Sequence, residues 1–311
     1  MRWIEGGTFA MGSAHFYPEE RPVRRVAVDG FWIDETPVTN RDFAAFVAAT
    51  GHVTLAQIAP DPRAYPGMDP ALAVPGALVF MPPSGPVRLD QPSLWWHWVP
   101  GADWQHPLGP GPDIAALGLM DHPVVQLAWA DAAAYAAWAG KALPTEAEHE
   151  YASRGRLDGA DYAWGDELAP GGQRLANIWQ GEFPHRPTGD DGWFRTSAVR
   201  SFPPNGHGLF DMIGNVWEWT ADWWQDRPRP PRKRPPGACC TIRNPRGGTA
   251  WGSLDPAQPR VKIGRKVLKG GSHLCATNHC QRFRPAARHP EMIDTATSHI
   301  GFRCVWRPPV S

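Results

Sequence analysis

Net charge is what this 311-residue chain conspicuously lacks: 31 basic side chains are balanced by 31 acidic ones. That balance gives no ground for a nucleic-acid or membrane-surface partner, since both select a basic excess. No stretch approaches the ~20 consecutive apolar residues that span a bilayer. The amino terminus, MRWIEGGTFAMGS, has no apolar segment of the secretory kind, so a cytoplasmic protein is expected. Cysteine is scarce and odd in number, five in all, which argues against a disulfide framework. Internal repeats and heptads are missing as well. The one dense basic run, Arg227 to Arg234 (RPRPPRKR), is interleaved with proline and reads as a solvated loop.

What is abundant points to irregular structure. The chain holds 35 Pro, 32 Gly and 17 Trp. Proline removes backbone donors and glycine weakens regular elements, so long helices and broad sheets should be few. Tryptophan can supply the buried area that regular elements do not. The expected fold class is α+β, in a single domain over residues 1–311.

Local signals place a few elements. Alternation predicts strands over Thr8–Gly12 and from Arg24 to Ile33. Thr39 or Asn40 can cap a helix running to Thr50, with Phe43, Phe46 and Val47 on one face and Gly51 as the stop. A second helix is expected from about Asp131 to Ala139, closed by Gly140. A third opens on a Thr145/Glu148 capping box. Residues 52–120 carry turn signals and an aromatic stretch, Leu94-Trp95-Trp96-His97-Trp98, but little periodicity.

The cysteines divide into three groups. Cys304 lies in the alternating run IGFRCVW, sharing a face with Ile300, Phe302 and Trp306, and is read as a core residue. Cys239 and Cys240 follow a proline-rich loop and suggest no role. Cys275 and Cys280 are five apart. That spacing puts them on opposite faces of a strand and about 140° apart on a helix, so only a turn brings both sulfurs together. On spacing alone an incidental pair, a disulfide and a metal site all stay open.

Several segments, taken in order, carry a resemblance. They are GGTFAMGS (Gly6 to Ser13), ETPVTNRDFAAF (Glu35 to Phe46), GADWQHP, DHPVVQLAW, AWAGKALPTEAEHEYASRG and ANIWQGEFP. After them come FPPNGHGLFDMIGNVWEWTADWW (Phe202 to Trp224), GGSHLCATNHCQRFRPAAR (Gly270 to Arg288) and HIGFRC. Together they resemble the formylglycine-generating enzymes, the sulfatase-modifying factor family. GNVWEW alone marks the wider fold, and GGSxxCxxxxC marks the catalytic branch. The resemblance implies an irregular, C-type-lectin-like α+β domain.

It also implies a chemistry. Cys275 and Cys280 would bind copper(I), for which soft thiolates are the suited ligands. A cysteine in a sulfatase segment of the form Cys-x-Pro-x-Arg would be oxidised by O2 to formylglycine, with a thiol or other reductant supplying the remaining electrons. Ser272 matches an active-site serine that would hydrogen-bond oxygen-derived species or substrate backbone, and Trp217 matches a tryptophan near the same pocket. A first calcium would be held by Asn177, Ile178, Asp191 and Trp193, and a second by Asp211, Gly214, Val216 and Glu218. Both ions would be structural. The client is expected to meet a monomer, but residues 52–100 match loosely and do not reveal which groups bind the arginine.

Departures from the pattern are informative. His279 stands where relatives usually carry tyrosine and is read as a tolerated change. His149 replaces the tryptophan of TEAEWEY and is expected at the surface or in a groove. Ala136, Ser153 and Pro285 occupy positions of cysteines in secreted relatives, leaving Cys304 unpartnered, as in a cytoplasmic bacterial form. Two rivals are set against the oxidase. An iron-dependent sulfoxide synthase would need histidines from an additional helical domain and lacks the cysteine pair. A lectin-like binding module would keep the fold without the chemistry. A zinc site through His273 or His279 would want four protein ligands, and no second CxxC or HxxxH completes one.

Overall fold

The computed structural model describes residues 1–226 and 241–309; Cys239, Cys240 and the basic run from Arg227 lie outside them. Strands β1 (Arg2–Ile4), β2 (Gly7–Met11), β3 (Arg24–Val28) and β4 (Phe31–Ile33) precede helix α1 (Asn40–Thr50). The hairpin β5 (Gly76–Phe80) and β6 (Trp96–Pro100) follows, then α2 (Trp129–Trp138) and α3 (Glu146–Ser153). The second half holds the short pair β7 (Gly181–Glu182) and β8 (Arg186–Pro187), then β9 (Trp217–Trp223) and β10 (Ile242–Arg243). It ends with β11 (Arg265–Lys269), β12 (Arg288–Met292), β13 (Ile300–Gly301) and β14 (Val305–Trp306). The α+β class and the shortage of regular structure are both as expected.

The helices form where their caps dictate. At α1 the Thr39 hydroxyl accepts from the Asp42 amide at 3.2 Å, and the Asp42 carboxylate accepts from the Thr39 amide at 3.1 Å. Gly51 closes the helix with φ 69°, where a Cβ would be strained. Thr145 and Glu148 cap α3 in the same reciprocal way. Helix α2 begins two residues before the expected Asp131, because that carboxylate reaches back to the Ala128 amide at 3.0 Å.

Two strand expectations are corrected. The run Arg24–Ile33 is not continuous: it breaks at Asp29-Gly30, so that β3 pairs with β2 and β10 while β4 pairs with β1 and β14. A Cβ on Gly30 would meet the Trp3 ring at 2.5 Å, so the crossing needs glycine. Cys304 is fully buried as expected, but Trp306 is 41% exposed and does not share its face. The chain leaves strand geometry over residues 302–304, and the alternation loses its phase there.

The largest sheet has the order β12-β11-β9-β13, with the seven-residue β9 inside it. Trp219 on β9 is fully buried in the main apolar cluster, which also holds Phe43, Leu127 and Phe302, and its indole donates to the Leu127 carbonyl at 3.1 Å. Irregular chain leaves carbonyls without ladder partners, and buried arginines supply the donors. Arg303 is fully buried, pairs with Glu218 at 2.8 Å and donates to the carbonyls of Asp34, Glu35, Phe210 and Asp211. His149 is also fully buried, correcting the surface expectation: Nε2 lies 3.0 Å from Glu218, and Nδ1 lies 3.2 Å from the Ser153 hydroxyl. A smaller ring capable of two hydrogen bonds stands where tryptophan was the expected filler.

Candidate active site

The site begins where β11 ends. Gly270 and Gly271 carry φ of 93° and 73°, and a Cβ on Gly271 would strike the Arg282 carbonyl at 2.7 Å. Only glycine lets the two strands of chain pass this closely. The loop then coils: the Cys275 amide donates to the Ser272 carbonyl, and the Cys280 amide to the Ala276 carbonyl, each at 2.9 Å. These two successive turns bring the Cys275 and Cys280 sulfurs to 3.5 Å. A disulfide bond is about 2.0 Å long, so both residues are free thiols.

The two sulfurs are inequivalent. Burial pushes the Cys275 thiol up. The Cys280 thiol is held down by the hydrogen bond from Cys275 and by the Arg282 guanidinium, 3.9 Å away. Of the two, Cys280 is the more readily ionised sulfur. The buried Ser272 amide points at the Cys275 sulfur from 3.4 Å, and its hydroxyl accepts from the Leu274 amide at 3.2 Å. Arg282 is fixed by Glu19 at 2.7 Å and by the Tyr17 ring, 3.8 Å from its guanidinium carbon.

These residues line a cleft of about 620 Å³. Trp217, at the start of β9, forms part of its wall with its ring 5.8 Å from that of His289. Trp95 and Phe183 form an aromatic side on which His279 stacks, 4.6 Å from Phe183 and within 4° of parallel. His279 thus fills the place of an aromatic ring, as the tolerated-change reading requires. Burial lowers His289 to about 4 and His299 well below the usual histidine range, so both imidazoles in the wall are neutral. His273 donates through Nδ1 to the Asn215 carbonyl at 2.8 Å. Among the described residues no three His, Cys, Asp or Glu side chains are grouped to hold a metal, whereas copper(I) is content with a sulfur pair.

Ser272, Cys275, Cys280 and Trp217, which the sequence singled out, all line this cleft. The sequence did not single out Tyr17, Phe183, His289, Glu291 and His299, which come from four distant segments. The aromatic stretch at 94–98 was the one visible signal for Trp95 and Trp96.

The loops expected to hold calcium differ from each other. In the first, Asp191 accepts from the Trp193 amide at 3.0 Å through one oxygen, while the other is buried without a partner. An orphaned buried carboxylate oxygen suits a hard cation. In this loop the Asn177 amide group donates to the Arg195 carbonyl at 2.9 Å, which leaves its oxygen to face other partners. The second loop fits less well than expected. The Glu218 carboxylate is already neutralised by Arg303 and bonded to His149, and Asp211 accepts from the Arg200 amide at 3.1 Å and the Asn215 side chain at 3.3 Å.

Residues 1–308 match the sulfatase-modifying factor enzyme 1-like domain. The chain belongs to that family. It is 53% identical to the formylglycine-generating enzyme of Mycobacterium tuberculosis over 305 residues, covering 98% of this chain and 97% of that protein. It is also 36% identical to the inactive C-alpha-formylglycine-generating enzyme 2 of Mus musculus, over 97% of this chain and 83% of that one. Family membership therefore leaves activity to be decided by the site. The structure of PvdO from Pseudomonas aeruginosa superposes with a TM-score of 0.57 at 24% identity, covering 97% of this chain and 92% of that one, which shows a shared fold alone. No helix among the described residues is long and apolar enough to cross a membrane.

Proposed function

We propose that this protein oxidises a cysteine in the Cys-x-Pro-x-Arg segment of a sulfatase to formylglycine, with copper(I) held by Cys275 and Cys280 and O2 as oxidant. The observation that carries the reading is the free cysteine pair, 3.5 Å apart, in the wall of a cleft large enough for an extended peptide. Bound copper(I) would supply one-electron chemistry toward oxygen. The balanced change is thiol plus O2 plus two reducing equivalents giving aldehyde, sulfide and water. A thiol or other reductant provides the two equivalents.

The chain's own residues prepare the site. Arg282 and the Cys275 thiol hold the Cys280 thiol down, so one ligand gives up its proton readily to the metal. The Ser272 amide stabilises negative charge on the Cys275 sulfur. Trp95, Phe183 and His279 offer flat apolar faces to the substrate proline and exclude water from the sulfurs. Trp217 closes the wall beside them.

The reading carries further parts. A single domain over 1–311 is supported by a cleft whose residues run from Tyr17 to His299. Structural calcium at Asn177, Ile178, Asp191 and Trp193 is supported by the orphaned Asp191 oxygen. A cytoplasmic location accords with the free cysteines among the described residues, and the protein is read as a monomer.

The test is aerobic incubation of copper(I)-loaded protein with a Cys-Thr-Pro-Ser-Arg peptide, followed by mass spectrometry. Conversion of thiol to aldehyde that requires copper and is lost in both Cys275→Ala and Cys280→Ala supports the reading. Tight binding of the peptide without conversion would instead make the protein a binding module.

A further inference from the structure

One group in the cleft is unused by the chemistry above. Glu291, on β12, is the single carboxylate that lines it among the described residues. It shares a strand face with His289, two residues before it, so both side chains stand over the same floor. One oxygen accepts from the Thr295 hydroxyl at 2.9 Å and the Met292 amide at 3.2 Å, which fixes the carboxyl group in place.

The other oxygen has no hydrogen-bond partner, and among the described residues no cation stands within ion-pair distance of it. The nearby candidates are all engaged elsewhere. Lys266 is its neighbour across the β11–β12 ladder, but that ammonium lies over the Trp223 and Trp129 rings and donates to the Ala221 carbonyl at 2.7 Å. Arg282 is held by Glu19, and Arg265 donates to the carbonyls of Ser253 and Leu254. Asp294, the next acidic group, is taken by the Tyr65 hydroxyl.

Glu291 is half-buried and has no counter-charge, and that burial pushes it up to about 7. Such a group persists in a cleft when a ligand brings the missing charge. Apart from the cysteine pair and Arg282, which Glu19 holds, the wall is aromatic, aliphatic, hydroxyl-bearing or neutral imidazole, so among the described residues Glu291 is the one carboxylate there to meet a cation. A guanidinium suits the vacancy best, because its fork of donors can meet one free carboxylate oxygen and the Thr295 hydroxyl together.

We infer that Glu291 is a specificity residue that receives the arginine of the Cys-x-Pro-x-Arg substrate segment. The inference rests on the proposed function for the identity of the ligand, and binding can test it without turnover. Two unreactive peptides with serine in place of the cysteine, Ser-Thr-Pro-Ser-Arg and Ser-Thr-Pro-Ser-Gln, would be titrated into wild-type protein, Glu291→Gln and Glu291→Asp. The corresponding cysteine peptides would be assayed for kcat/KM on copper-loaded enzyme.

The wild type should prefer arginine over glutamine by roughly 10- to 100-fold, the range of a desolvated charged hydrogen bond. In Glu291→Gln that preference should fall toward one, while Glu291→Asp, which keeps the charge, should retain part of it. An arginine preference equally large in wild type and Glu291→Gln would overturn the inference. So would an equal slowing of both cysteine peptides with the preference intact, which would assign Glu291 to the chemistry or the fold. If the wild type converts neither peptide yet shows an arginine preference in binding that Glu291→Gln abolishes, the oxidase reading fails and the inference stands. Binding of neither peptide removes both.

Discussion

Arg303 and Glu218 form an ion pair from which solvent is excluded on both sides, with the guanidinium nitrogens 2.8–3.0 Å from the carboxylate oxygens. The arginine comes from the segment after β13 and the glutamate from β9, so the pair joins the last part of the chain to the largest sheet. Its remaining donors satisfy four carbonyls of irregular chain. Arg303→Met would leave a buried, uncompensated carboxylate and several orphaned carbonyls. A loss of about 3–5 kcal/mol is expected, measured by urea denaturation. A loss below about 1 kcal/mol would show that the pair is dispensable.

Glu150 makes acid stability predictable. Burial alone would raise this fully enclosed carboxyl, but Lys269 at 2.9 Å and Arg154 at 2.8 Å overcome it and hold it at about 2. The folded value lies below the ordinary one, so the contribution is complete above pH ~4.5 and is lost as pH falls toward 2. A few kcal/mol should disappear across that window. In Lys269→Met the protein should be less stable at pH 7, with a smaller further loss on acidification. Thermal melts between pH 7 and pH 3 would reveal the difference, and identical profiles in the two proteins would refute it.

The cysteine pair should show its asymmetry chemically. In metal-free protein the bond from Cys275 and the nearby Arg282 hold the Cys280 thiol down, whereas burial raises both Cys275 and Cys304. Iodoacetamide at pH 7 should modify Cys280 first, as read by peptide mapping. Replacing Arg282 with Gln removes a cation from beside the sulfur and should move the pH midpoint of labelling upward. Preferential labelling of Cys275, or an unmoved midpoint, would contradict this assignment.

Calcium is testable without any assay of oxidation. If Asp191 holds the ion, adding a chelator should lower the melting temperature of the wild type, and calcium in excess should restore it. Asp191→Asn should melt at one temperature with or without chelator. A wild-type melting temperature indifferent to chelator would remove calcium from the description of this loop.

Several local elements were legible along the chain itself, because their signals are local. Thr39, Asp42 and Gly51 delimit α1 through contacts within one or two turns, and Thr145 with Glu148 does the same for α3. The spacing of Cys275 and Cys280 demanded a turn, and two backbone hydrogen bonds make two in succession. Excess proline, glycine and tryptophan announced irregular chain around aromatic anchors. What tertiary structure alone decided is everything that depends on chain crossing chain. His149 lies inside because Glu218 and Ser153, 69 and four residues away, receive its nitrogens. Trp306 faces out because three residues of non-strand backbone break the alternation. The cleft joins Tyr17, Trp95, Phe183 and Glu291 to the sulfur pair, and no periodicity links positions so far apart in sequence. Local sequence chooses caps and turns through hydrogen bonds a few residues long, while desolvation, which raises Cys275 and Glu291, belongs to the assembled surroundings.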